Sequence, residues 1–269
     1  MVISMLRNGS APGALRMLSA ALSLVLILAA AAAAQSPTAQ EILDELEDTA
    51  FVGSGRAVIE LTTVNARGQQ RVHQLAFYRQ ETADGANQLL EYLSPADVAG
   101  TKFLTIDDAS GETLMYLYLP ALGRERRIAG SAAQESFMGT DFTFEEIGSL
   151  GTFSRDFDAQ RLPDERYQDK DAYVLLLTPR SPDAKYSAVK VWVWKEQYVP
   201  LRIEFYNAQG ALEKTLFNED LQPDEQGRWL PRLITMRNEG TGSRTVIRVL
   251  ETSAEPVPDE YFTLRYLRR

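Results

Sequence analysis

The sequence predicts a mainly β fold, a single domain built as a meander of about 11 long antiparallel strands with an N-terminal helix and one helical interruption. Three observations lead there. Apolar and polar residues alternate from Arg56 onward, which is the period of a half-buried strand. The glycine-bearing turns NAQG (Asn207 to Gly210), PDEQG (Pro223 to Gly227) and NEGTG (Asn238 to Gly242) recur at the spacing of long hairpins. One long interruption, Ala129 to Gly151, breaks the beat with helix-like periods around Ala132 to Phe137 and Phe142 to Ile147.

The elements follow in order. Arg7 and Arg16 precede an apolar run, Leu18 to Ala34, that ends in an Ala-x-Ala site at Ala32 and Ala34. These are the features of a secretory signal peptide over residues 1–34, cleaved near Ala34. An uncleaved anchor is the alternative reading, although the alanine-rich run is marginal for a span of ~20 residues. Ser36 and Pro37 then open TAQEILDELEDTA, with Ile42, Leu43, Leu46 and Ala50 on one face, an amphipathic helix. Arg56 to Thr63 alternates as a strand, and Asn65 to Gly68 turns it into a second strand from about Arg71 to Arg79. Further strands are expected at Gln88–Leu93, Lys102–Asp107, Thr113–Leu119, Ala172–Thr178, Ala188–Lys195, Pro200–Tyr206, Leu212–Asp220, Arg228–Arg237 and Ser243–Thr252. LMYLYL (Leu114 to Leu119) and VKVWVW (Val189 to Trp194) are apolar on nearly both faces, so both faces need cover.

Composition narrows the function. Loss of Arg7 and Arg16 with residues 1–34 takes Lys+Arg from 28 to 26 against 37 Asp+Glu, a formal charge of −11 on residues 35–269. An acidic body argues against nucleic acid and against flat adsorption on anionic lipid. The chain has no cysteine, so an exported form has no disulfide and cannot be acylated on an N-terminal cysteine.

Chemistry finds little purchase. Ser131 and Ser136 lie near Asp141 in sequence, but the one histidine, His73, is expected to face outward from a strand, and no G-x-S-x-G turn exists. With one histidine and no cysteine, a transition-metal site would need mostly carboxylates. The acid pairs Asp107-Asp108, Glu145-Glu146 and Asp224-Glu225 lack calcium-loop spacing, and the first and last read as turn residues. Phosphate-binding glycine loops are missing. The expectation is therefore no enzyme, no cofactor and no metal. The aromatics Tyr78, Tyr92, Tyr116, Tyr118, Trp192, Trp194, Phe205, Phe217 and Trp229 all fall in expected strands. Together they suggest a concave sheet with an apolar inner face that houses an apolar ligand.

The run MYLYLPALGRERRIAGSAAQESFMGTDFTFEEI, Met115 to Ile147, resembles the outer-membrane lipoprotein-sorting protein family, LolA/LolB-like. It is most similar to the longer periplasmic branch associated with transporters of the resistance-nodulation-division type. The carrying residues are the tyrosine-rich strand ending in Leu119-Pro120-Ala121-Leu122, then Arg126-Arg127-Ile128, then Phe137-Met138-Gly139-Thr140-Asp141-Phe142. The resemblance implies that residues 35–269 form one lipid-binding half-barrel domain, a single incomplete antiparallel β-barrel of about 11 strands with an N-terminal helix and a helical lid or plug over a cavity for the acyl chains of a lipoprotein or another lipid. A triacylated lipoprotein exposes on the order of 40 methylenes at ~0.8 kcal/mol each, so crossing water needs a carrier. The absent lipidated cysteine favours the soluble carrier form over the outer-membrane receptor form.

From strand parity and this resemblance, Ile59, Leu61, Tyr92, Tyr116, Ile203 and Phe205 are expected to line the lipid cavity. Phe137, Met138, Phe142 and Phe144 are expected under the lid, with Arg124, Arg126, Arg127 and Asp141 as its charged rim. Arg56 is a candidate lid latch by chain order alone. The expected protein is a periplasmic monomer that carries a lipid toward the outer membrane, between an inner-membrane transporter and an outer-membrane acceptor. The alternative is a periplasmic adaptor or binding subunit of a resistance-nodulation-division export complex.

Overall fold

The computed structural model describes residues 36–49, 54–148 and 153–269. The expected signal segment and Ala50 lie outside the described residues. Helix α1, Ala39–Thr49, buries Ile42, Leu43 and Leu46. Its start is one residue beyond the Ser36-Pro37 signal, because Thr38 and Glu41 cap it reciprocally. The Thr38 N–H donates to the Glu41 carboxylate at 2.7 Å, and the Glu41 N–H donates to the Thr38 hydroxyl at 3.2 Å.

Among the described residues thirteen strands form one antiparallel sheet that does not close. They are β1 Gly55–Val64, β2 Gln70–Thr82, β3 Gly85–Ser94, β4 Lys102–Asp107, β5 Thr113–Leu119 and β6 Arg124–Ile128. After the interruption come β7 Phe157–Tyr167, β8 Lys170–Pro179, β9 Ala188–Trp194, β10 Pro200–Tyr206, β11 Leu212–Pro223, β12 Trp229–Asn238 and β13 Arg244–Ser253. The spatial order is β6-β5-β4-β3-β2-β1-β13-β12-β11-β10-β9-β8-β7. Two meanders therefore meet where β1 pairs with β13, Ile59 opposite Val249 and Leu61 opposite Ile247.

The two strands beyond the expected eleven are the two edges, β6 and β7. The first reads RERRI and the second FDAQRLPDERY, with a register shift between Leu162 and Glu165 around Pro163. Charge and proline blunt an exposed edge against pairing with other chains, and the same residues hide it from a search for apolar alternation.

This order also dictates what the interruption does. The chain leaves the sheet at one edge and re-enters at the other, so residues 129–156 connect β6 to β7. They hold a 3-10 turn at Gly130–Gln134 and the short helix α2, Phe144–Gly148. Phe137, Phe142, Phe144 and Ile147 are buried against the main core of the sheet.

The aromatics divide differently from the expectation. The inner face is mostly aliphatic, and most strand aromatics stand on the outer face. Leu117 and Met115 face the main core, whereas Tyr116 and Tyr118 pack outward with Tyr78, Leu89 and Leu104. The C-terminal segment covers them with a 3-10 turn, Asp259–Phe262, and helix α3, Leu264–Leu267. Tyr261 lies 5.0 Å from Tyr78 and stacks on Tyr266 at 4.3 Å, and Lys102 Nζ sits 4.9 Å above Tyr266. On the other half of the sheet, Trp192 and Trp194 form an outer cluster with Ala172, Val174 and Leu201. Lys190 lies 4.2 Å over Trp192, Arg202 4.9 Å over it, and Lys170 4.8 Å over Trp194. Cationic side chains from the same strand and its two neighbours supply the cover that VKVWVW demands.

Candidate functional site

Strand parity places Ala57, Ile59 and Leu61 of β1 on the concave side, with Ile203 and Phe205 of β10, Leu216 of β11, Ile234 and Met236 of β12, and Ile247 and Val249 of β13. All of them border a cavity of about 900 Å³. The neighbouring wall, β3 to β6, is largely filled, with Leu90 and Met115 at the cavity's margin. There Phe103, Phe137 and Phe144 meet at centroid distances of 5.2, 5.3 and 5.5 Å, and Tyr92 adds a fourth ring 6.4 Å from Phe137. The segment between the sheet edges thus fills one wall and roofs the other.

The roof is a folded loop with its own hydrogen bonds. Phe137 N–H donates to the Phe142 carbonyl at 2.8 Å, and Thr140 N–H donates to the Phe137 carbonyl at 2.9 Å. Met138 and Gly139 take left-handed backbone angles, φ 49° and 80°, to turn between them. This geometry sends Phe137 and Phe142 into the protein, 0% and 1% exposed. Thr143 caps α2 and Glu146 returns the bond: Thr143 N–H to the Glu146 carboxylate at 2.7 Å, Glu146 N–H to the Thr143 hydroxyl at 3.0 Å.

Polar contacts then fasten the roof to the far half of the sheet. Lys214 of β11 lies 3.1 Å from Glu146, both almost fully buried. The Tyr186 hydroxyl donates to the same carboxylate. Burial lowers the Lys214 pKa, with the Glu146 charge opposing it. Burial, then the Glu146 charge, pushes the Tyr186 phenol up, so it stays a donor. Asp141 reaches β13: its N–H donates to the Thr245 hydroxyl at 2.8 Å, and the hydroxyls of Thr245 and Ser243 donate to its carboxylate. Gln134 adds a bond to the Asp183 carbonyl at 3.0 Å. Beside it, Glu145 is pushed up by burial and by the charges of Asp156 and Glu146.

The expected site residues fall into place unevenly. Ile59, Leu61, Ile203, Phe205, Phe137 and Phe142 border the cavity. Tyr92 and Phe144 are buried in the filled wall beside it, and Met138 packs half-buried on the same core. Tyr116 belongs to the outer cluster, because its strand neighbours Met115 and Leu117 take the inner face. Arg124, Arg126 and Arg127 are exposed on the edge strand β6 rather than around the cavity; Arg127 pairs with Glu112 at 2.7 Å. Asp141 ties the roof down, as above. Arg56 is exposed on the outer face of β1, so the latch groups are Lys214, Tyr186, Ser243 and Thr245. Lys214 could have been seen: it shares parity with Leu216 in LEKTLF, a cation on an inward position.

The residues weighed for chemistry have other work. Ser136 donates its hydroxyl to the Thr140 carbonyl at 2.6 Å. His73 is half-buried and follows the parity of Leu75 and Phe77, correcting the outward expectation, and its ring meets Tyr92 edge-on at 5.5 Å. Desolvation lowers its pKa. Asp108 and Asp224 accept backbone N–H bonds within their own turns. Among the described residues no group of three or more His, Asp or Glu side chains is placed to hold a metal ion.

A family model described as that of an uncharacterized protein matches residues 84–269. The chain belongs to that family. No curated protein matches the sequence. Among solved structures, a domain assigned to the outer-membrane lipoprotein-sorting proteins, from Vibrio parahaemolyticus, is 29% identical with a TM-score of 0.79. The match covers 85% of this chain and 97% of that one. A DUF1329 family protein from Desulfovibrio piger is 25% identical, TM-score 0.78, over 86% of this chain and all of its own. A LolA superfamily protein from Nitrosomonas europaea shares the fold at 22% identity and TM-score 0.69, over 86% and 100% of the two chains. The resemblance first carried by Met115 to Ile147 thus extends over most of the chain, as an open barrel of the lipoprotein-sorting kind.

Proposed function

We infer that this protein is a periplasmic carrier that shields the acyl chains of a lipoprotein or another lipid on their way toward the outer membrane. The observation that carries this reading is the mostly apolar cavity under a polar-latched roof, in a fold shared with a lipoprotein-sorting domain. A space of about 900 Å³ holds on the order of 30 methylene-sized groups, taking the ~30 Å³ share of a water molecule as the unit. That is one or two acyl chains. Each buried methylene contributes ~0.8 kcal/mol, so a chain of about 15 gains on the order of 12 kcal/mol before the cost of ordering it. A mostly apolar lining suits chains that must also leave, because dispersion contacts do not fix their orientation tightly. The N-terminal 34 residues supply the export signal in this reading, and no covalent step is required.

Protein purified gently from periplasm should carry lipid in native mass spectrometry, and the stripped protein should bind a fluorescent fatty acid. A protein that arrives empty from repeated preparations and leaves the probe's emission unchanged at saturating concentrations would refute the carrier reading.

A further inference from the structure

The wall of the cavity has a seam. Strands β12 and β13 pair only from Leu233 opposite Arg248 to Arg237 opposite Arg244. Beyond that, residues 229–231 of β12 pair with β11 alone, and residues 249–253 of β13 pair with β1 alone. Pro231 has no N–H to offer there, and the register shift between Val58 and Ile59 displaces Leu250 from the β1 ladder. The strands therefore part at one end, and a small recess opens between them, bordered by Arg232, Arg248 and Thr252. Arg232 and Thr252 also border the main cavity, so the recess adjoins it.

Arg232 follows the inward parity of Ile234 and Met236. Four cationic side chains border the main cavity, and three are engaged within the chain: Arg155 with Asp156 at 3.4 Å, Arg180 with Asp158 at 2.9 Å, Lys185 with Glu213 at 3.2 Å. Arg232 has no ion pair and no hydrogen bond among the described residues. Asp220 and Glu251 also face the recess, neither at ion-pair distance from it, and Asp220 accepts a bond from Gln222 at 2.9 Å. A guanidinium at the boundary of an apolar cavity and a polar opening is placed for a ligand that has both characters, since its fork of N–H donors matches carboxylate and phosphate oxygens.

We propose that the β12–β13 seam is the headgroup site of the ligand, and that the ligand is an amphiphile with an anionic oxygen head on Arg232 and its aliphatic chain in the cavity. This rests on the carrier reading and adds the substrate class to it. A fatty-acid carboxylate and a lysophospholipid phosphate share the chemistry.

The test compares three ligands of equal chain length at pH 8 by displacement of a fluorescent probe: palmitate, palmitoyl lysophosphatidate and the neutral hexadecanol. The native protein should bind at least one anionic ligand about tenfold tighter than hexadecanol, and the tighter of the two anions identifies the head. Arg232→Gln should erase the preference while leaving hexadecanol binding and the circular dichroism unchanged, and Arg232→Lys should keep part of it. Equal affinity of the native protein for all three, or an undiminished preference in Arg232→Gln, overturns the headgroup site and leaves the carrier reading standing. Failure of all three to bind overturns both.

Discussion

Strands β3–β6 and β10–β13 belong to one sheet and are covered in different ways. The first wall is covered on both sides by chain: the Phe137–Phe144 segment fills most of its inner face, and the C-terminal residues from Val257 to Leu267 cover its outer face. The second wall is roofed rather than filled. Its inner face borders open cavity, and the outer face of its neighbours β8–β10 is covered by cationic stems over Trp192 and Trp194. A chain that spends its non-strand segments on one wall leaves open space along the other. Under the carrier reading, stability and binding fall to different parts of one sheet.

The largest effect should expose that difference directly. Phe103→Ala removes a buried ring packed between Phe137 and Phe144 in the filled wall and should cost about 3–5 kcal/mol by denaturant titration. Ile203→Ala, beside existing space, should cost about 2 kcal/mol or less, because the transfer loss comes without much new void. Equal costs would erase the contrast between the walls. Lys214→Met tests the link between them. It leaves Glu146 buried without its cation and should destabilise by about 3 kcal/mol. Adding Glu146→Gln should recover much of that loss; a double mutant as unstable as the single would show that the pair is not what fastens the roof.

A smaller effect tests the outer face of the second half. Glu165 accepts from the Trp192 indole at 2.8 Å and pairs with Lys190 at 3.2 Å, and the indole bond is the main cause holding its carboxyl below the usual range. A carboxyl with a lowered folded pKa contributes stability above its unfolded pKa and loses it as pH falls through the folded value. Glu165 is half exposed, so Glu165→Gln should lower stability at neutral pH by less than about 0.5 kcal/mol and flatten the acid limb slightly. A loss as large at pH 3 as at pH 7 would place the effect in packing instead.

Much of the fold was legible because its interior strands alternate. RAVIELTT shows its inner face as Ala57, Ile59 and Leu61, and the structure buries those three. The edges were illegible for a physical reason: RERRI and FDAQRLPDERY carry the charge and proline that keep edges unpaired, so they lack the pattern that identifies strands. The roof was legible as an interruption, and TFEE contains the capping box that starts α2. Which face each aromatic takes was not legible in LMYLYL and VKVWVW, since a strand apolar on both faces has no parity signal. The latch was beyond reach in another sense. Glu146 meets Lys214 across 68 positions, and Asp141 meets Thr245 across 104, distances that only the topology closes.

Because β6 and β7 end the sheet without pairing to each other, the barrel has a slit along its length. Swinging the two meanders apart about the β1–β13 junction breaks no ladder bond at that slit, whereas a closed barrel would have to tear a row of them. The bore can therefore change width without breaking the sheet, and the bonds of the roof to β11 and β13 set how wide it stays.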